Sequence, residues 1–108
     1  MATSNNLKDF NVELVHHFVG GLYCKETHIP AGVKLTQHVH SFDHLSVLAQ
    51  GRVIVTVDGV DTEYSAPAFL TIHAGKVHEI TALTEVVWGC LHASDCTDPE
   101  HIDESLIA

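Results

Sequence analysis

Short runs in which apolar and polar residues alternate, separated by turn-forming residues, cover most of this 108-residue chain. Alternation with a period of two is typical of half-buried β-strands. Between two of the runs, Asp58-Gly59 predicts a tight two-residue hairpin, because both residues tolerate the positive φ angles that such turns need. The pattern predicts nine strands, over residues 12–18, 22–28, 33–38, 44–50, 52–57, 62–65, 69–73, 78–82 and 85–92.

Strands of this number and spacing favour a closed, all-β architecture. An open antiparallel sheet of that width leaves edges to protect, whereas a barrel or jelly roll removes or shortens them. At 108 residues the chain has room for one domain, 1–108, and its small size favours tight packing or a partner chain. We therefore expect a single β-barrel domain.

The last residues, 94–108, change in character to an acidic segment. Thr97 and Glu100 have the spacing of a helix capping box, which predicts a short helix over about 98–106. A frayed acidic tail is the alternative, because isolated short helices are marginally stable. If the helix forms, its apolar residues dock on the barrel or on a second subunit: Ile102, Leu106 and Ile107.

The composition of the chain argues against some classes of binding partner. Five Lys or Arg residues against 14 Asp or Glu give a formal charge of -9, which repels nucleic-acid phosphates and anionic membranes. The N-terminal residues lack a signal-peptide pattern and no apolar run reaches membrane-spanning length, so we expect a cytoplasmic protein. Cys24, Cys90 and Cys96 are odd in number and widely spaced, which predicts free thiols in a reducing compartment.

Ten histidines are the unusual feature of the composition. His38 and His40 are two residues apart, so a strand presents both imidazoles on one side. His44 follows after a short connection and opens the next antiparallel strand, where its side chain returns to the same pocket. His78 begins a later strand. Four neutral ring nitrogens from separate strands form a typical transition-metal site, so these four residues are the predicted metal ligands.

The spacing of these histidines resembles the cupin superfamily. From Gly32 to Gly51 the sequence has the form G-x5-H-x-H-x3-H-x6-G, which matches the first cupin motif, G-x5-H-x-H-x3,4-E-x6-G, except at His44. The second motif, P-x-G-x2-H-x3-N, is matched only at its glycine and at His78. The resemblance spans about residues 22–92. It implies a small double-stranded β-helix, or jelly-roll barrel, that forms a homodimer.

At His44 the family usually has glutamate. Imidazole in place of carboxylate removes one negative charge, so a bound divalent ion keeps its full charge and is the stronger Lewis acid. Ligation by imidazole alone favours zinc, iron, nickel, copper or cobalt over magnesium and calcium, which prefer oxygen. We therefore expect one divalent transition-metal ion, whose identity within that set the sequence leaves open.

Three further residues are candidate catalytic acids or bases. Trp88, Cys90 and His92 share one face of the last strand, and if that face points inward, Trp88 and His92 line the mouth of the pocket. Tyr23 and Glu26 lie on opposite faces of an early strand, so at most one of them faces the site. The candidates are therefore His92, Glu26 and Tyr23.

Other residues near the site have simpler interpretations. Cys90 is interpreted as a small, buried apolar residue. Phe42 and Asp43 are either pocket wall and hydrogen-bond acceptor behind a metal ligand, or turn residues. A histidine in a strand is most often a hydrogen-bonded or surface group, which is our interpretation of His16, His17, His28, His73 and His101.

Two classes of function remain open. In the first, the chain is an enzyme whose metal binds a small oxygen-bearing metabolite, as similar cupins do in isomerase, cyclase, lyase and dioxygenase reactions. In the second, the chain is a non-catalytic module that binds a small molecule or a metal, with four protein ligands closing a structural zinc site. The sequence favours the enzyme, and it specifies neither the substrate nor the reaction.

Overall fold

The computed structural model describes residues 12–37 and 42–93, which form nine β-strands. Burial alternates along most of them, so that each strand places one row of side chains inside the molecule and one row outside. The strands are β1 (Glu13–Val19), β2 (Leu22–Ile29), β3 (Lys34–Thr36), β4 (His44–Gln50), β5 (Arg52–Val57), β6 (Val60–Ser65), β7 (Ala68–Ile72), β8 (His78–Ala82) and β9 (Val86–Ala93).

The strands form two antiparallel sheets that pack face to face. The five-stranded sheet has the order β1-β2-β9-β4-β7, and the four-stranded sheet has the order β3-β8-β5-β6. Consecutive strands therefore often cross from one sheet to the other, as in a jelly roll. The all-β, jelly-roll architecture expected from the sequence is confirmed. Within the described ranges the chain forms no helix, and so none that could cross a membrane.

The predicted strand bounds agree closely with the observed ones. β4, β5 and β8 match residue for residue. The hairpin at Asp58-Gly59 is confirmed: the two φ angles are 52° and 77°, and β6 begins directly after them, two residues before its predicted start. β3 is shorter than predicted and is an edge strand, held to β8 by three residue pairs. His38, at its predicted end, and the predicted helix over 98–106 lie outside the described residues.

The core lies between the two sheets and is largely apolar. At one end, where β4 turns into β5, Gly51 has a φ of 90°, and a side chain there would overlap the Glu85 carbonyl. We call this end of the barrel, at Gln50, Gly51 and Val86, the packed end. Buried residues from both sheets form the core: Ile29, Leu48, Val53, Val55, Leu70, Ile72, Ile80, Ala82, Val86, Trp88 and Cys90.

Candidate metal centre

Two histidines lie side by side on neighbouring strands of the five-stranded sheet. β4 begins at His44, and β9 reaches His92 one position beyond the Leu45–Leu91 pair. The antiparallel register therefore places the two histidines opposite each other, and their ring centroids are 4.2 Å apart. Both are buried, with 5% and 4% of their surface exposed. They point into the barrel, since both occupy the inward row of their strands.

His78 reaches the same end of the interior from the opposite sheet. It begins β8, whose last residue, Ala82, lies near the packed end. His78 is 2% exposed and occupies the inward row of β8. The structure thus brings His44, His78 and His92 to one end of the barrel, which we call the histidine end.

The surroundings of His78 determine which ring nitrogen is available to a ligand. Its Nδ1 lies 3.2 Å from the backbone carbonyl oxygen of Lys76. A carbonyl only accepts hydrogen bonds, so Nδ1 carries the hydrogen and Nε2 keeps its lone pair. Burial lowers the pKa of His78, which favours the neutral ring. A histidine oriented by a backbone carbonyl in this way is typical of metal sites.

A buried sulfur collects polar side chains next to the histidines. Cys90 lies two residues before His92 in the inward row of β9, and it is a free thiol, as predicted. Its Sγ is 3.2 Å from Trp88 Nε1, 3.4 Å from Ser46 Oγ and 3.5 Å from Gln37 Nε2. Indole and amide N–H groups only donate, so the sulfur accepts from both. The interpretation of Cys90 as a purely apolar core residue is therefore incomplete.

Gln37 connects the two sheets at the level of Cys90. Its backbone N–H donates to the His78 carbonyl oxygen at 2.8 Å, while its side chain reaches Cys90 on the opposite sheet. Among the described residues, its Oε1 is buried and has no hydrogen-bond partner. A buried carbonyl without a partner is costly, so this atom is a candidate contact for a hydrogen-bond donor on a bound molecule.

Of the two catalytic candidates on β2, Tyr23 faces the interior. It is 1% exposed, and its ring lies beside that of His92 with centroids 6.2 Å apart. Its hydroxyl is 2.7 Å from Nδ1 of His16. Phe42 meets the His92 ring edge-on at 6.3 Å, which is compatible with its interpretation as pocket wall. Tyr23, His92 and Phe42 therefore border the same interior.

Glu26 faces away from the interior, which corrects its place among the catalytic candidates. Its carboxylate lies on the outer face of β2, where it accepts hydrogen bonds from Nε2 of His17, at 2.9 Å, and from Nε2 of His28. The bond from His28, and then that from His17, lowers the pKa of Glu26. As the parity of β2 predicts, only Tyr23 of this pair faces the barrel interior, and His17 and His28 are hydrogen-bonded surface groups as expected.

Asp43 holds a loop together. Its Oδ1 accepts a hydrogen bond from the Ala74 N–H at 2.8 Å, and its Oδ2 is 3.7 Å from Nδ1 of the exposed His73. These contacts tie the start of β4 to the loop that follows β7. Of its two interpretations, the turn residue is the one that the structure favours.

Two of the four predicted metal ligands lie outside the described residues. His38 and His40 fall between Gln37 and Phe42, and both of these flanking residues contact the histidine end. Among residues 12–37 and 42–93, no three histidine, cysteine or acidic side chains are grouped so that they could hold a metal ion. A complete centre at the histidine end thus needs further ligands, and His38 and His40 are the predicted ones.

Three residues of this interior were not among the predicted site residues: His16, which was interpreted as a hydrogen-bonded or surface group, Gln37 and Ser46. For two of them a signal exists. Ser46 is two residues after a predicted ligand in the same strand, so a period of two places it inside. The two-residue loop Gly20-Gly21 fixes the register of β1 and β2, which places His16 on the same face as Tyr23. Gln37 has no such signal, because its direction depends on where β3 ends.

Solved structures of other proteins share this architecture. A cupin superfamily protein from Desulfitobacterium hafniense has a TM-score of 0.67 and 16% identity, over 78% of each chain. Salicylate 1,2-dioxygenase from Pseudoaminobacter salicylatoxidans, solved with gentisate, has a TM-score of 0.68 and 12% identity, over 85% of this chain and 30% of that one. A predicted oxalate decarboxylase from Thermotoga maritima has a TM-score of 0.64 and 15% identity, over 74% of this chain and 77% of that one.

Comparison of sequences finds no match. No protein-family model matches the chain, and a search of curated proteins finds no similar sequence. At such low identities, the structural likeness establishes the fold alone. The fold that the histidine spacing implied is confirmed.

Proposed function

We propose that this chain, which has the cupin fold, binds one divalent transition-metal ion and acts as an enzyme on a small oxygen-bearing metabolite. The proposed ligands are His38, His40, His44 and His78. The observation that carries the proposal is the placement of His44 and His78, two buried imidazoles that enter one end of the barrel from opposite sheets. Neutral imidazoles from separate strands are the usual protein ligands of transition metals.

The donor set fits such an ion. His78 offers Nε2, because its Nδ1–H donates to the Lys76 carbonyl, and its burial favours the neutral ring. Imidazole ligands suit zinc, iron, nickel, copper or cobalt. When bound, the ion supplies a Lewis acid that polarises an oxygen of the bound molecule. Two of the solved structures similar in fold are named as a dioxygenase and a predicted decarboxylase, reaction classes that are compatible with this proposal.

Residues beside the proposed ligands can move protons. The His92 ring lies 4.2 Å from that of His44, so it borders the proposed metal position. The Tyr23 hydroxyl and Nδ1 of His16, 2.7 Å apart, can exchange a proton between a phenol and an imidazole. We assign His92 and Tyr23 as the acid–base residues, with His16 as the residue that positions the Tyr23 hydroxyl.

The polar groups around Cys90 are the proposed contacts for the bound molecule. Ser46 and Gln37 place a hydroxyl and an amide between the buried histidines and the apolar core. Such a combination, a few polar groups in an apolar pocket, orients small ligands and keeps water out. The bound molecule therefore combines an oxygen for the metal with a hydrogen-bond donor for Gln37.

The proposed partners follow from the charge of the chain. A formal charge of -9 opposes binding to nucleic acid and to anionic membranes, so the ligand we propose is a small molecule. We also propose a cytoplasmic location and a homodimer, since a domain of this size gains from extra buried surface.

The metal content of the purified protein tests the proposal. Protein prepared without chelator or nickel resin is expected to contain about one equivalent of a divalent transition metal by elemental analysis. His78→Ala is expected to weaken metal binding by at least about 100-fold while the protein stays folded. His73→Ala removes an exposed histidine five residues earlier and is the matched control, which is expected to keep its metal.

Three outcomes count against the proposal. Wild-type protein that contains no metal and binds neither added zinc nor added iron overturns it. Unchanged metal content in His78→Ala overturns the ligand assignment. A His78→Ala protein that fails to fold, when the His73→Ala control folds normally, assigns the ion a structural role and favours the non-catalytic module.

A further inference from the structure

A row of four rings crosses the five-stranded sheet at the histidine end. The strand registers pair Phe18 of β1 with Tyr23 of β2, and Tyr23 with His92 of β9, which lies beside His44 of β4. All four residues occupy the inward rows of their strands. The ring centroids of successive neighbours are 5.1, 6.2 and 4.2 Å apart. We call this row the ring ladder.

The phenol of Tyr23 has a base at its hydroxyl. Its side chain is buried, and its oxygen lies 2.7 Å from Nδ1 of His16, which is two residues before Phe18 on β1. A phenol O–H is a stronger acid than the N–H of a neutral imidazole, so the phenol donates and Nδ1 accepts. His16 is only half-buried, on an edge strand of its sheet. A proton that reaches its ring can therefore pass on to the solvent.

The base at this hydroxyl matters for the removal of an electron. A phenol that loses one electron becomes a strong acid, and an unpaired positive charge inside a buried site costs much free energy. If the proton moves to a hydrogen-bonded base as the electron leaves, the tyrosine stays neutral. The contact between Tyr23 and His16 provides this path, because the proton has only to move along an existing hydrogen bond.

The other two oxidisable rings, Tyr64 and Trp88, lack such a base within the described ranges. Trp88 donates its indole N–H to Sγ of Cys90 at 3.2 Å, and a thiol is a weak acceptor. Tyr64 packs against the core from β6, and no described side chain forms a hydrogen bond with its hydroxyl. Of the three rings, Tyr23 is therefore the one from which an electron and a proton can leave together.

The electron and the proton have separate paths. On one side, Tyr23 meets His92 and then His44, a proposed metal ligand, so the ring ladder joins the phenol to the proposed metal position. On the other side, the hydrogen bond to His16 leads to the edge of the sheet. Electrons transfer readily between rings that are so close, whereas a proton needs a hydrogen bond. The arrangement therefore moves the electron toward the histidine end and the proton toward the edge strand.

We infer that Tyr23 is a redox-active residue, which gives one electron to a strong one-electron oxidant at the histidine end. As the electron leaves Tyr23, the phenol O–H bond breaks and its proton bonds to Nδ1 of His16. The products are a neutral tyrosyl radical, a protonated His16 and an oxidant reduced by one electron, and the reverse transfer restores the phenol. The inference rests on the proposed function only for the source of the oxidant.

Photochemical oxidation of the zinc-loaded protein tests the inference. Zinc is not redox-active, so the oxidant is supplied from outside as tris(bipyridine)ruthenium(III), a cation that the formal charge of -9 attracts. Electron paramagnetic resonance of the frozen product is expected to show a tyrosyl radical. Tyr23→Phe is expected to abolish the signal, and Tyr64→Phe, the matched control, is expected to keep it. Protein that binds no zinc is oxidised in the same way, so the result is independent of the proposed metal centre.

Two adjacent histidines of β1 test the proton path. His16→Gln removes the base from the phenol and is expected to slow radical formation by at least about 100-fold, which is a usual contribution of a positioned base. Deuterated water is expected to slow radical formation in the wild type. His17→Gln changes the exposed neighbour, whose Nε2 bonds Glu26 on the outer face, and is expected to leave the rate unchanged. Thermal unfolding checks that both variants are folded.

Iron in place of zinc tests the electron path. Ferrous iron at the histidine end is expected to return an electron to the radical through the ring ladder, while His16 returns the proton, which leaves ferric iron and a neutral phenol. The radical is therefore expected to decay several-fold faster in the iron-loaded protein than in the zinc-loaded protein. Elemental analysis of both samples confirms that each metal is bound.

Three results overturn the inference. The first is a folded wild type that gives no radical, or one that Tyr64→Phe abolishes and Tyr23→Phe keeps. The second is an unchanged rate of radical formation in folded His16→Gln, which removes the coupling between electron and proton. The third is equal decay in the two samples with their metals bound, which separates Tyr23 from the metal position.

Discussion

The two ends of the barrel interior differ in chemistry, although the same strands build both. Along β4 the inward side chains change from His44 through Ser46 to Leu48, and along β9 they change from His92 to Val86. Burial of apolar groups stabilises a fold, whereas burial of a polar group costs free energy unless the group finds a hydrogen-bond partner. The packed end therefore stabilises the barrel, and the histidine end is the region whose composition needs a chemical explanation.

The largest change in the free energy of unfolding is expected from a comparison of two inward residues of β4. Leu48 and Ser46 are both 0% exposed and share the inward row of β4. Leu48→Ala leaves a cavity in the apolar core and is expected to lower the free energy of unfolding by about 2–5 kcal/mol. Ser46→Ala removes a single hydrogen bond to Cys90 and is expected to cost about 1 kcal/mol or less. Urea denaturation of the two variants measures both values.

Equal losses in the two variants contradict the proposed division of the interior. They would mean that the 3.4 Å contact between Ser46 and Cys90 supports the fold as strongly as a buried leucine does. A larger loss for Ser46→Ala would place the stabilising core at the histidine end.

Removal of the metal is expected to cause the next largest loss of stability. This loss is expected to depend on the ligands at the histidine end. An ion that binds the folded chain alone stabilises it by about 2.7 kcal/mol when its free concentration is about 100 times its Kd. Thermal unfolding with added zinc and with chelator measures this difference, which is expected in the wild type and in His73→Ala but not in His78→Ala. A zinc-dependent shift that survives in His78→Ala places the ion elsewhere in the molecule.

The strands could be predicted because their signals are local. Alternation and turn residues fix where a strand starts and stops, and the hairpin at Asp58-Gly59 follows from two residues that adopt positive φ angles. Which face of a strand turns inward is a different matter, because it depends on the sheet that packs against it. Sequence parity separates Tyr23 from Glu26, yet only the packing of β2 against the barrel interior places Tyr23 inside.

In the candidate site, too, some residues can be predicted from local sequence, whereas others depend on contacts between distant parts of the chain. Motif spacing identifies His44 and His78, and the structure places both inside one end of the barrel. The contact of Gln37 with Cys90 joins residues 53 positions apart, one directly after β3 of the four-stranded sheet and one on β9 of the five-stranded sheet. No local pattern encodes such a contact, so the polar groups around Cys90 emerge only from the packed fold.

A smaller change in the free energy of unfolding, in the stabilising direction, is expected for a substitution at Gln37. Its Oε1 is buried without a hydrogen-bond partner among the described residues, so Gln37→Leu removes an unsatisfied carbonyl and is expected to raise the free energy of unfolding by about 1 kcal/mol. Gln50→Leu, at the exposed rim of the packed end, is the control and is expected to change little. Urea denaturation gives both values. A clear loss in Gln37→Leu would mean that this amide serves the fold, which removes it from the proposed binding contacts.

The smallest effect is expected outside the barrel, at Glu26. Its hydrogen bonds from His28 and His17 lower its pKa, so its stabilising contribution is complete above the pKa of a glutamate in the unfolded chain. That contribution is lost as the pH falls through the lower pKa of the folded state. Glu26→Gln is therefore expected to flatten the loss of thermal stability in acid and to leave metal binding unchanged. Loss of metal in Glu26→Gln would contradict the separation between the outer carboxylate and the histidine end.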